Sequence, residues 1–130
     1  MNASIPEKLT RGEEEVMQIL WQLGSGSVND IIDQMQAPKP KYTTVATFIK
    51  ILENKGYVDH ETRSKSYEYY PIVPKEEYAH TVMSGVLNSY FDGSLAHMVS
   101  FFSRREDLSM QETEQILDIL RETKCKTDKP

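Results

Sequence analysis

YTTVATFIKILENKGYV, Tyr42 to Val58, is the stretch on which the fold turns. When residues advance by about 100° each, Val45, Phe48, Ile49 and Leu52 fall within one arc, which predicts an amphipathic helix with one buried side. Thr43, Thr47, Lys50 and Asn54 fall opposite, with Thr44 and Ile51 on the flank, and Gly56 ends the run. The outer face carries hydroxyls and a cation, and its acid, Glu53, lies away from them. Solvated helices ordinarily mix Glu with Lys, whereas a face that approaches phosphates omits acids and keeps side chains short. An exposed threonine face has the same look, so one helix alone does not separate the two readings.

The flanking sequence separates them. After Gly56 come YVDHE, TRSKS and YEYYPIV, two Tyr- and Val-rich alternating segments around a polar tip, which predicts a β-hairpin. Upstream, Thr10 and Glu13 form a capping box before Val16, Ile19, Leu20 and Leu23 recur at helical spacing, and Gly24 closes that helix. Ser27 and Asp30 cap a short helix, VNDIIDQM, and Pro38 and Pro40 keep the connector APKPK extended. Residues 10–72 therefore read helix, helix, helix, hairpin. That is a winged helix-turn-helix, in which the third helix enters a major groove and the wing touches the backbone.

Charge distribution agrees. The 130-residue chain has a net charge of −5, yet residues 39–65 hold six bases against three acids, a net +3, which leaves −8 elsewhere. An acidic total argues against nucleic acid only when no basic patch is segregated from it. Thr43, Thr44 and Thr47 are the candidates for contact in the groove, and Lys50 for phosphate or guanine. Lys41, Arg63 and Lys65 are the candidates for holding the DNA backbone.

Beyond Pro74 the pattern is helical: KEEYAHTVMSGVLNSYF, a break at Asp92–Ser94, SLAHMVSFF, then a last helix opened by Ser109 and Glu112. Tyr78, Val82, Val86, Tyr90 and Phe91 form one apolar set, and Met98, Phe101, Phe102, Ile116 and Leu120 continue it. Part of it makes an internal core. Three short helices enclose little interior, so the surplus is expected to be buried in a symmetric dimer. Gly85 in mid-helix either permits a close crossing or is neutral. The expected fold is mainly α with a small β-wing: a winged-helix DNA-binding domain over residues 1–73 and a helical dimerisation domain over 74–130.

Enzyme readings find no support. His60, His80 and His97 are widely spaced with no HExxH, and no Gly-rich phosphate loop or G-x-S-x-G occurs. Each histidine reads as a surface or packing residue, and no catalytic residue, metal site or cofactor is expected. The lone Cys125 excludes an internal disulfide and fits a reducing compartment. No apolar run reaches a membrane span and no signal peptide is evident, so the expectation is a cytoplasmic protein without membrane insertion. A winged helix used as a protein-interaction module without DNA is the alternative, and it would call for a neutral or acidic third helix.

LTRGEEEVMQILWQLG, VNDII, TTVATFIKILENKGYV, KSYEYYPIVPKEEY and LNSYFDGSLAHMVSFF, in this order from about Leu9 to Leu120, resemble the BlaI/MecI/CopY family of bacterial repressors (penicillinase and methicillin-resistance repressors and relatives). The most specific pieces are E-x-x-VM-x-x-LW at Glu13, T-V-x-T at Thr44 with Lys55-Gly56, and FDGSL at Phe91. The resemblance implies a homodimer that represses genes from a pseudo-palindromic, double-stranded DNA operator. In several members a membrane sensor with a cytoplasmic metalloprotease triggers cleavage at an Asn-Phe bond, which aligns with Phe101-Phe102; the asparagine is missing here. The copper-responsive branch carries a C-terminal cysteine cluster, which Cys125 alone does not make. Some members have a basic residue where this chain has Ile51, so the base preference is not carried over.

Overall fold

The computed structural model describes residues 8–127, with side chains to residue 123. It comprises α1 (Arg11–Leu23), α2 (Val28–Asp33), α3 (Tyr42–Asn54), β1 (Val58–Arg63), β2 (Ser66–Pro71), α4 (Lys75–Phe91), α5 (Leu95–Arg104) and α6 (Met110–Thr127). Cys125 and the terminal KCKTDKP fall outside the described side chains. The chain divides into two compact units, one ending at Met83 and the other beginning at Ser84.

In the first unit, each helix starts where local chemistry dictates. Thr10 accepts from the Glu13 amide and Glu13 reaches back to the Thr10 amide, so both halves of the capping box form. Ser27 and Asp30 repeat the device for α2, which ends at Asp33, shorter than its apolar pattern suggests. Gly24 closes α1 at φ +86°, in the left-handed region that costs glycine little. The apolar stripes then converge. Val16, Met17 and Leu20 of α1, Ile31 of α2, and Val45, Ile49 and Leu52 of α3 are fully buried, with Tyr57 and Val58 beneath them. Each such side chain contributes on the order of 1.5–3 kcal/mol by leaving water.

The hairpin is longer and its tip shorter than the sequence suggests. β1 and β2 pair antiparallel from Val58↔Pro71 to Arg63↔Ser66, so Arg63 and Ser66 are strand residues and the turn is Ser64-Lys65, with Ser64 at φ +55°. Gly26, in the connection before α2, adds a bridge to Tyr69: its amide donates to the Tyr69 carbonyl at 2.9 Å, and the Tyr69 amide donates back at 2.8 Å. The wing is thereby tied to the helices at its middle as well as at its base, where Trp21 Nε1 donates to the Val73 carbonyl at 2.9 Å.

Tyr78 departs from its expected place at a dimer surface. It is 4% exposed, its ring packs edge-on against Tyr57 at 5.8 Å and lies beside Trp21 at 5.8 Å, and its hydroxyl accepts from the Leu9 amide at 3.2 Å. Val82 packs against the same core. The first turns of α4 therefore complete the winged helix, which moves the division from the expected 73/74 to 83/84. Pro74 marks a helix start, not a boundary.

In the second unit, Ser94 caps α5 through the His97 amide and Ser109 caps α6 through the Glu112 amide, both at 3.0 Å. Phe91 packs edge-on against His97 and Phe101, each at 5.5 Å, and Phe101 against Phe102 at 5.3 Å. No residue of α5 is buried.

Gly12 leaves room on α1 for the tip of the Phe48 ring of α3. A Cβ there would stand 2.5 Å from Phe48 Cζ. Ala ordinarily favours a helix by about 1 kcal/mol over Gly. Gly12→Ala is nevertheless expected to destabilise the protein by about 1–2 kcal/mol through overpacking, as read by urea denaturation.

Candidate nucleic-acid interface

The inner residues of α3 are buried and its outer residues are open. Val45, Ile49 and Leu52 face the core, while Tyr42, Thr43, Thr44, Thr47, Lys50 and Asn54 are exposed and Ile51 is half-buried. The helix has no acid in its first turn. Thr47 Oγ1 donates to the Thr43 carbonyl at 2.8 Å, which leaves its oxygen lone pairs and methyl for an outside partner.

The structure sorts the cations. Lys39 Nζ donates to the carbonyls of Ile32, Asp33 and Met35 at 3.1, 3.2 and 2.6 Å, closing the C-terminal end of α2. Lys55 turns inward and pairs with Glu13 at 2.8 Å. Arg63 meets Glu68 at 3.1 Å on the wing, an exposed pair of the kind worth less than about 1 kcal/mol, which opens cheaply. Lys41, Lys50 and Lys65 are exposed, and none of them forms an ion pair among the described residues. The net +3 of residues 39–65 thus overstates the cations presented outward, but the three left lie beside or on α3 and at the wing tip.

Between the starts of α2 and α3 and the wing lies a cleft of about 470 Å³, lined by Ser27, Val28, Asn29, Tyr42, Lys65, Ser66, Tyr67 and Tyr69. Ser27, Asn29 and Tyr42 were not singled out from the sequence as interface residues. Ser27 reads there as a cap, and nothing local shows that the wing folds back toward α2. The Gly26–Tyr69 bridge does this. Burial first, and then the Glu53 carboxylate, push the Tyr69 phenol above its ordinary range.

Glu13 anchors the far end of α3. It is 4% exposed. Burial works against its charge, but the Lys55 ammonium and the Thr10 amide and hydroxyl outweigh that and hold its carboxyl below the usual value of 4.5. The lysine that looked like part of a DNA-facing patch is a structural counter-ion.

With this geometry in place, comparison with known proteins is direct. The penicillinase repressor family model matches residues 9–122. The chain belongs to the penicillinase repressor family. The methicillin resistance regulatory protein MecI of Staphylococcus aureus strain N315 is 32% identical over 116 residues, which cover 87% of this chain and 93% of that protein. The penicillinase repressor of Bacillus licheniformis is 28% identical over 123 residues, covering 92% and 94%. Among solved structures, the DNA-binding domain of the repressor BlaI aligns with a TM-score of 0.49 at 25% identity, over 58% of this chain and 92% of that domain. Members of this family are repressors, and the chain stands with them and not with enzymes. No helix among the described residues is long and apolar enough to cross a membrane.

Glu13 also makes stability depend on pH. With the folded value lowered, its stabilising contribution is fully present above 4.5 and is lost as pH falls through the lower folded value. Glu13→Gln is expected to cost about 1–3 kcal/mol at pH 7 and to flatten stability below the carboxylate range, as measured by denaturation at several pH values.

Proposed function

We propose that this protein is a DNA-binding transcriptional repressor that acts as a homodimer on a pseudo-palindromic operator. The observation that carries the reading is the exposed, acid-free face of α3, with Thr43, Thr44, Thr47 and Lys50 on it. Threonine hydroxyls reach phosphate oxygens or base edges, its methyl meets the thymine methyl, and Lys50 reaches phosphate or guanine. Lys41 at the N-cap and Lys65 at the tip hold the backbone on either side of the groove, and Arg63 joins them once it leaves Glu68. The cleft between α2, α3 and the wing is the seat for a phosphodiester strand, with Asn29 and Tyr42 as added donors. Few cations per chain make a single half-site weak, so two copies bind with their third helices about one DNA turn apart.

The dimer reading rests on the second unit. Tyr90 is 75% exposed, Leu95 62%, Ile119 61% and Leu120 55%, and Phe101 and Phe102 are exposed as well. Val86, Phe91, Met98 and Ile116 are half-buried. An equivalent surface on a second copy would remove these side chains from water. Leu95, Val99, Met110, Leu117 and Ile119 join the apolar set that the sequence pattern marked. A Cβ at Gly85 meets nothing within 4 Å in the single chain, so only a second copy would give that glycine a packing role. Phe101-Phe102 lies inside α5, so a membrane sensor-protease would have to accept a Phe-Phe bond and unfold α5 locally before cutting it. The reading places the chain in the cytoplasm, where operator DNA lies.

Fluorescence anisotropy with the DNA upstream of the gene tests the interface. Thr47→Glu with Lys50→Glu is expected to weaken binding more than about a hundredfold, and unchanged affinity would sink the groove assignment. Lys65→Ala should weaken all sequences alike and lower the salt slope by about one ion per site.

Sedimentation of the intact chain is expected to show a dimer. A fragment of residues 1–83, which retains the whole N-terminal core, is expected to be monomeric and to bind the operator weakly. A dimeric fragment would move the interface into the winged helix.

A further inference from the structure

We propose that Glu53, Asp59 and His60 form a divalent-cation site that fastens the end of α3 to the first strand of the wing. One oxygen from each carboxylate and one ring nitrogen of His60 all lie within 4.8 Å of one another. Two elements supply them: Glu53 is next to last in α3, and Asp59 and His60 stand second and third in β1.

The arrangement is held from several sides. The Glu53 carboxylate contacts His60 Nδ1. Asp59 Oδ1 accepts from the His60 amide at 2.8 Å, which keeps its carboxylate folded back over the strand. The His60 imidazole lies against Tyr67 at 4.3 Å and beside Tyr69 at 5.6 Å, so its plane is fixed by the opposite strand. His60 retains 33% and Glu53 25% of side-chain exposure, which leaves one side open to water.

The donor set suits a first-row dication. Imidazole nitrogen with two carboxylate oxygens is a ligand combination used for zinc and its neighbours, in which water completes the shell. Bonds of about 2 Å place tetrahedral ligands about 3.3 Å apart. Glu53 and His60 Nδ1 stand closer than that, so an ion has to part this pair, and Asp59 has to release the His60 amide to join it. Neutral imidazole with two carboxylates carries a charge of −2, which a dication cancels at the junction of helix and hairpin. A plain ion pair between Glu53 and His60, with Asp59 accepting from the His60 amide, is the account that needs no ion, and the titration separates the two.

Calorimetric titration of the full-length, chelator-treated protein with zinc chloride alone tests the site, together with amide hydrogen exchange. No DNA is present, so the outcome is independent of the proposed repressor function. One zinc ion per chain is expected, with slower exchange in β1 and β2 on binding. His60→Ala and Glu53→Gln should each weaken binding more than about tenfold, while His80→Ala, His97→Ala and Cys125→Ser leave it unchanged. Asp59→Asn, an exposed and nearly isosteric change, should weaken it similarly and guards against loss of fold in the other variants. Absence of binding, or binding that survives His60→Ala, Glu53→Gln and Asp59→Asn, would overturn the proposal.

Discussion

The ion pair between Glu13 and Lys55 joins the first turn of α1 to the residue that caps the end of α3. It is nearly dry on the glutamate side, and a buried charge without a partner is costly. The same carboxylate also closes the capping box, so one side chain starts α1 and fixes where α3 must end. Gly12, the residue before Glu13, lets Phe48 lie against α1. With the middle and the end of α3 both held by α1, the direction of its exposed face is no longer free.

That constraint divides the polar residues between two tasks. Lys39 and Lys55 are consumed in holding helices together, while Lys41, Lys50 and Lys65 stay outside. The division has a physical origin: a cation next to unpaired helix carbonyls or a buried carboxylate is bound more favourably there than in water. The second unit shows the opposite condition. Its helices are capped and locally well formed, yet its apolar side chains find little cover within one chain.

Much of this was readable from the sequence because its signals are local. The capping residues at Thr10 and Ser27, the stops at Gly24 and Gly56, and the change from helical to alternating rhythm after Gly56 each act within a few residues. The failures share a cause as well. Tyr78 follows the same helical stripe as Val86, and periodicity gives the face of a helix but not which core receives it; its partner at Leu9 is 69 residues away. A count of charges does not reveal that Lys55 folds inward toward Glu13. The grouping of Glu53 with Asp59 and His60 is invisible to a search for paired histidines, since the turn at Gly56 is what brings helix and strand together. The cleft behind the wing depends on the Gly26–Tyr69 bridge, which pairs a connection with a strand far along the chain.

The Thr47 hydroxyl, already engaged with the Thr43 carbonyl, also bears on selectivity. A threonine whose χ1 is pinned by its own helix has little rotational freedom left to surrender when a surface closes over it. In the proposed interface such a residue would read by outline: it would meet a complementary methyl at low entropic cost and would not swing to accommodate a different edge. Neighbouring Lys50, long and free, has the reverse character, so rigidity and reach stand one residue-turn apart on the same helix.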